Sequence, residues 1–383
     1  MQLPVYLDYA ATTPVDPRVA TVMAACLTTD GVFANPASRS HIYGWQAEER
    51  VEDARRKVAN LLACDPREVV WTSGATESNN LALKGVFEGV GYTGHLITSV
   101  IEHKAILDPA VWLQQRGVEV TWLKPDAQGV IRAEQIEQAM REDTRLVSIM
   151  QVNNETGVIN PIADIGRLCR AKGVLLHVDA AQAAGKIATD VSLLQVDLMS
   201  LSAHKFYGPK GVGALYVRRL VQPQIKPQQH GGGHERGMRS GTLATHQLAG
   251  MGEAAALALE SLSVESSSVA ALRDSLWQGI ADLPGIRRNG SAQAMSPSHL
   301  NVCFSGVDGE TLLLSLRELA VSSGSACTSA SMAPSYVLKA MGLSDEDAYS
   351  SIRISLGRFT TAADVEQAVN HIRTIYTRLQ QAV

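Results

Sequence analysis

The sequence lacks paired cysteines: the five, at positions 26, 64, 169, 303 and 327, form an odd set with no C-x-x-C spacing. That excludes a simple disulfide framework and a cysteine-rich metal site, and it points to a reducing compartment, the cytoplasm. An excess of one charge is missing too. With 34 Lys+Arg against 38 Asp+Glu, the formal charge is -4, so neither direct nucleic-acid binding nor an anionic membrane surface is expected. Met1–Ala10 has no basic stretch leading into an apolar one, and no secretory signal is expected. The longest uncharged run, Leu319–Leu338, is 20 residues long, but it holds six serines and Pro334. Such a composition reads as a mobile loop, not a membrane span. There is no G-x-x-x-x-G-K-[ST] or H-E-x-x-H motif, and no metal is expected. Gly89-Val-Gly91-Tyr-Thr-Gly94 matches G-x-G-x-x-G, yet a helix precedes it and a strand follows. The dinucleotide fingerprint needs the reverse order, so the segment reads as a turn.

What is present is an alternation of short β-branched runs with helical patterns. Val69–Thr72, His95–Val100, Val118–Leu123, Leu146–Val152, Val174–Val178, Leu198–Ser202 and Gly213–Arg218 read as strands. Thr76–Lys84, Lys104–Arg116, Ala133–Arg141 and Ile162–Lys172 read as the helices between them. This is the pattern of an α/β protein built on a largely parallel sheet. At 383 residues two or three domains are expected. The pattern turns helical over Thr245–Leu283, which places a boundary near residue 259. A shorter α/β region follows and ends in a helix, Ala363–Leu379.

Polar clusters sit at the ends of successive strands, where open α/β sheets collect ligands. Ser73-Gly74-Ala75-Thr76-Glu77 opens a helix; it suits a phosphate, or Ser73 simply caps the helix. Asp179, in His177-Val-Asp179-Ala-Ala-Gln182, ends a buried strand. A carboxylate there calls for a cation: a protonated pyridine nitrogen, an arginine or a metal would serve. Lys205, in Ser202-Ala-His204-Lys205, ends the next strand and reads either as a salt-bridge partner or as a Schiff-base lysine. His103 and Asn153-Asn154-Glu155 lie beyond two further strands. The Gly-rich loop His230–Thr242 carries Arg236 and Arg239 and suits an anion. Cys327, flanked by small polar residues in Ser322-Ser-Gly324-Ser-Ala-Cys327-Thr-Ser, reads as an exposed thiol, and the other four cysteines read as structural.

Taken in order, these motifs resemble the cysteine desulfurases, pyridoxal-phosphate enzymes of the class V aminotransferase group, and most closely the IscS/NifS branch. The likeness runs from Tyr6-Leu-Asp-Tyr-Ala-Ala-Thr-Thr-Pro14 through Asn35-Pro-Ala-Ser to Ser351-Ile-Arg353-Ile-Ser-Leu-Gly-Arg358. It implies the PLP-dependent transferase fold type I, with a mixed, mostly parallel seven-stranded sheet. A large cofactor domain of residues 15–258 would be joined to a small α/β domain. The small domain would comprise residues 1–14 and 259–383 and carry a mobile cysteine loop at about 322–333.

The resemblance also implies roles. Lys205 would hold pyridoxal 5'-phosphate covalently, and Asp179 would pair with the ring nitrogen. His103 would stack on the ring and move protons, and Gln182 would bond the phenolic oxygen. Ala75, Thr76, Ser202 and His204 would hold the phosphate, with Thr242 reaching the phosphate of the partner subunit in a homodimer. Asn154, also beside the cofactor, and Arg353 would fix the carboxylate of L-cysteine. Lys205 would take the Cα proton and Cys327 would attack the substrate sulfur, leaving a persulfide and alanine. A sulfur-acceptor protein would then collect the sulfur, either a scaffold for iron–sulfur cluster assembly or a tRNA- or DNA-thiolating protein. Selenocysteine lysis and aminotransfer are rival reactions on the same fold. Two departures stand out: Ala203 replaces the glycine often found before the His-Lys pair, and relatives carry a tail beyond the equivalent of Val383 that is implicated in scaffold docking.

Overall fold

The computed structural model describes residues 3–323 and 334–381. In chain order its strands are β1 (Val5–Tyr6), β2 (Val69–Thr72), β3 (His95–Ser99), β4 (Glu119–Leu123), β5 (Thr144–Ser148), β6 (Leu175–Asp179), β7 (Leu198–Ser202) and β8 (Gly213–Val217), then β9 (Ile286–Arg288), β10 (His299–Phe304), β11 (Leu319–Ala320), β12 (Ser322–Ser323) and β13 (Ser351–Ser355). The helices are α1 (Pro17–Ala24), α2 (Ile42–Leu62), α3 (Ala75–Glu88), α4 (Lys104–Gln114), α5 (Ala133–Ala139), α6 (Ile162–Lys172) and α7 (Thr245–Ile280), then α8 (Gly309–Ser315), α9 (Tyr336–Ala340), α10 (Asp345–Tyr349) and α11 (Ala362–Gln380).

Seven strands form one sheet in the order β2-β8-β7-β6-β5-β3-β4. Only β8 runs against its neighbours; the other pairings are parallel. β3, β5, β6 and β7 are buried almost throughout, because helices cover both faces of a parallel sheet and leave its strands as continuous apolar runs. β4, at the edge, is buried only at Leu123. The glycine-spaced segment 89–94 joins α3 to β3 as a turn, with Gly91 and Gly94 at φ 66° and 96°.

The strand expected at Leu146–Val152 starts two residues earlier and stops at Ser148, which leaves 149–154 outside the strand, beyond its carboxyl end. α2 was not expected from the sequence. Its apolar stripe of Ala47, Val51, Ala54, Val58 and Leu62 recurs at helical spacing, and Ala63 ends it in the left-handed conformation at φ 54°.

α7 spans the expected boundary without a break. By length and composition it is apolar enough to cross a membrane, but its first half packs against α1 and α2 and its second half against α11. The exposed stretch between carries Glu260, Glu265 and several serines. A second sheet, in the order β12-β13-β10-β9, and the pair β1-β11 pack with α8, α11 and the end of α7. Leu7 joins that second core, and residues from Val19 to Leu257 dominate the first. We propose, on this partition, a large domain of residues 15–258 and a small one of 1–14 and 259–383.

Candidate functional site

One cavity of about 490 Å³ opens at the carboxyl ends of the parallel strands. Its wall takes Ser73–Thr76 from the end of β2, His103 from beyond β3, Asn154 from beyond β5, Asp179 and Gln182 from β6, and Ser202, His204 and Lys205 from β7. Ala10 and Ala11 close one side, and Arg353 of β13 reaches in from the four-stranded sheet.

At one end lies the start of α3. Its cap is Gly74, not Ser73, and among the described residues no side chain caps the first-turn N–H groups. Gly74 sits at φ 151°, a backbone that residues with a Cβ rarely adopt. The uncapped amides therefore face the cavity with the positive end of the helix dipole behind them, a place for an anion. Glu77, in the same turn, is turned aside: it pairs with Arg239 Nε at 2.8 Å and accepts the Ser73 N–H at 2.7 Å. His204 Nδ1 lies 3.0 Å from Thr12 Oγ1. Burial, then the nearby Lys205 and Lys210, pull its pKa down to about 4, so the ring is neutral near pH 7. Just before it, Ala203 is fully buried, and its Cβ faces Gly208, where another Cβ would come within 2.8 Å. The missing side chain at 208 makes room for alanine at 203.

Midway stands Asp179, 5 % exposed. Asn79 Nδ2 donates to one oxygen at 2.8 Å and the Ala181 N–H to the other at 2.9 Å, yet among the described residues no Lys, Arg or His forms an ion pair with it. A buried carboxylate without a cation is costly, and a protonated ring nitrogen is the kind of partner that fits. Lys205 Nζ donates to the carbonyls of Ala10 and Ala11 at 2.6 and 2.8 Å. Gln182 Nε2 donates to the same Ala10 carbonyl at 2.8 Å, and its Oε1 accepts from Lys186 Nζ at 2.9 Å. His103 caps α4, its Nδ1 accepting the Ala105 N–H at 3.1 Å. With Nδ1 an acceptor, the neutral ring carries its proton on Nε2.

At the far end Arg353 donates from Nη1 to the Asn154 carbonyl and from Nη2 to Asp8 Oδ1, both at 2.8 Å. Its buried Nε and the buried Oδ1 of Asn154 have no partner among the described residues. These unmet groups suit a ligand that brings both an acceptor and a donor, as an amino acid does. Two buried acids lie behind this wall. Burial pushes Glu102 up to about 8 and Glu155 up to about 7.

Ten of the residues picked from the sequence thus share one cavity: Ala75, Thr76, His103, Asn154, Asp179, Gln182, Ser202, His204, Lys205 and Arg353. Thr242 does not join them; it is exposed on the Gly-rich loop. That loop is pinned from below by buried Arg55, which holds Glu235 through two bonds of 2.8 and 2.9 Å. Cys327 lies outside the described residues. The other four cysteines are free thiols away from the cavity. Burial raises all of them, Cys64 and Cys169 to about 12 and Cys303 to about 11, so none is a ready nucleophile. Sequence reasoning missed Asp8, Asn79 and Lys186. Asp8 lies inside the quoted N-terminal motif and Lys186 four residues past Gln182, but nothing in the sequence marks Asn79.

The chain is similar to known proteins over its whole length. The family model described as Aminotransferase class-V matches residues 5–368. A curated relative named cysteine desulfurase IscS, from Aeromonas salmonicida, is 59% identical over 382 residues, 100% of this chain and 95% of the relative. Among solved structures, a NifS-like protein is 39% identical at a TM-score of 0.90, covering 98% of this chain and 100% of that one. A structure of SspA in complex with cysteine is 40% identical at a TM-score of 0.83, covering 93% of this chain and 99% of that one. The chain belongs to the class V aminotransferases, a pyridoxal-phosphate family, and within it to the cysteine desulfurases of the IscS/NifS branch.

Proposed function

We propose that the cavity converts L-cysteine to L-alanine and that the sulfur leaves as a persulfide on Cys327. The observation that carries this reading is the meeting of Lys205, Asp179, His103 and Arg353, from four separate parts of the chain, around one space. Pyridoxal 5'-phosphate, when bound, supplies a sink for the electron pair freed at the substrate Cα. Lys205 would hold it through Nζ, and the same amine, when free, would remove the Cα proton of the substrate. Asp179 would accept from the ring N–H and favour the protonated nitrogen. Gln182 would donate to the phenolic oxygen. The amides of Ala75 and Thr76, with Ser202 and His204, would hold the phosphate. Arg353 offers its remaining N–H groups to the substrate carboxylate beside Asn154, and His103 relays protons from Nε2. The Cys327 thiolate attacks the substrate sulfur: an S–S bond forms, the S–Cβ bond breaks, and Cβ takes the electron pair and then a proton.

The surface supports a homodimer. Phe33, Ile42, Tyr43 and Trp45 are exposed large side chains around the start of α2, and Thr242, outside its own cavity, would complete that of the partner subunit. The free thiols fit a cytoplasmic setting. The acceptor is proposed to be a scaffold protein of iron–sulfur cluster assembly.

The test is to incubate the holoprotein with L-cysteine, measure alanine and map the persulfide by mass spectrometry. Cys327→Ala is expected to abolish sulfide release while the protein stays yellow. Undiminished sulfide release from that variant would assign the nucleophile elsewhere.

A further inference from the structure

Lys186 is a lysine that none of these roles uses. It is 8 % exposed, and among the described residues no carboxylate pairs with it. A cation in such a place costs stability that an apolar side chain of the same size would not. Its surroundings add to the cost. Burial, then the positive Lys205 and Arg353, lower its pKa to about 7, with Glu265 the one acid pulling the other way, and Glu265 is already bonded to Arg358. His204 and His299 also feel its charge, and burial keeps both neutral near pH 7.

What Lys186 does hold is Gln182. Its Nζ, four residues on along the turn, donates to Oε1 at 2.9 Å, while Nε2 donates to the Ala10 carbonyl at 2.8 Å. An amide bonded on its oxygen by a donor and on its nitrogen by an acceptor has one donor left, the second N–H. Gln182 lines the cavity, so that hydrogen is the one available to a ligand there. The Ala10 carbonyl alone is a weaker guide, because it also takes a bond from Lys205. A donor on the amide oxygen also polarises the amide and makes its N–H a stronger donor.

We infer that Lys186 is a positioning residue, which orients and polarises the Gln182 amide so that its free N–H meets the phenolic oxygen of the cofactor. The inference rests on the reading of the cavity given above. A stronger donor at that oxygen stabilises its anion and lowers the pH at which the bound cofactor changes its visible absorption.

The test is a double-mutant cycle on the holoprotein, reading the dissociation constant of pyridoxal 5'-phosphate and the midpoint of its visible pH titration. Lys186→Met keeps the volume and removes the donor. It is expected to weaken cofactor binding roughly tenfold and to raise the midpoint by about one unit. Lys186→Gln retains a neutral donor and is expected to show at most half of that shift. If the methionine variant does not fold, the glutamine variant carries the cycle. In a Gln182→Ala background either change at 186 is expected to add almost nothing, because the group it acts through is gone. An equal shift in that background would mean that Lys186 acts by charge through space, and the inference would fall while the cavity reading stood. A Gln182→Ala protein with parental affinity and midpoint would sink both.

Discussion

Replacing Asp179 by asparagine keeps the shape of the side chain and removes its charge. In the protein without cofactor the change is mild. Asn79 Nδ2 and the Ala181 N–H both donate to this side chain; an amide satisfies one of them and turns its own NH2 toward the other. One poor contact is set against the relief of a buried charge that has no cation, so the thermal midpoint of the apoprotein should stay within about 3 °C of the parent. With cofactor the balance reverses. A hydrogen bond to a charged group contributes about 1.5–3 kcal/mol, and an unprotonated ring is a poorer electron sink. Converted at about 1.4 kcal/mol per tenfold, the loss in kcat/KM for L-cysteine is roughly 10- to 150-fold. Alanine production gives the rate, calorimetry with and without cofactor gives the stabilities, and borohydride trapping shows that Lys205 still attaches the cofactor. A variant that desulfurates within a factor of two of the parent would refute the pairing of this carboxylate with the ring nitrogen.

Arg353→Ala takes one donor from Asp8 and one from the Asn154 carbonyl and removes the carboxylate clamp; KM for L-cysteine should rise roughly 10- to 100-fold with cofactor affinity nearly unchanged, as a titration of both would check. Gly74→Ala forces a Cβ onto φ 151° at the phosphate end, and should cost about 1–3 kcal/mol in denaturant unfolding together with looser cofactor binding. The pH dependence of stability tests Glu155. Burial raises it from 4.5 to about 7, so between those values the folded chain holds a proton that the unfolded chain releases. Stability is therefore full below pH 4.5, falls as the pH rises, and levels off above 7. Glu155→Gln should flatten that fall by on the order of 3 kcal/mol, visible in urea melts between pH 5 and 8.

The seven-stranded sheet was legible in the sequence because its parallel strands are buried on both faces and read as unbroken apolar runs ending in polar motifs. β7 and α6 match the expected ranges residue for residue. α2 stayed hidden because charged residues such as Glu52, Asp53 and Arg56 separate the members of its apolar stripe. In the small domain, strands as short as β1, β11 and β12 leave no periodicity to read. Site residues were found where a motif marks a strand end. Asn79 escaped because its partner Asp179 is 100 residues away, a contact that only tertiary packing creates. Ser73 was weighed as the cap of α3; the glycine after it fills that position and leaves the amides open.

The wall beside Lys205 comes from Ala10 and Ala11, and the guanidinium at the other end comes from residue 353. During synthesis, then, every group assigned to the vitamin emerges from the ribosome well before Arg353, the guanidinium assigned to the amino acid's carboxylate. The alanine wall itself nevertheless waits on the end of the chain, because the Ala10 N–H donates to Ser355 Oγ at 2.9 Å and β1 pairs with β11. Cofactor wall and substrate clamp are thus completed together, when the C-terminal strand that carries Arg353 and Ser355 takes its place.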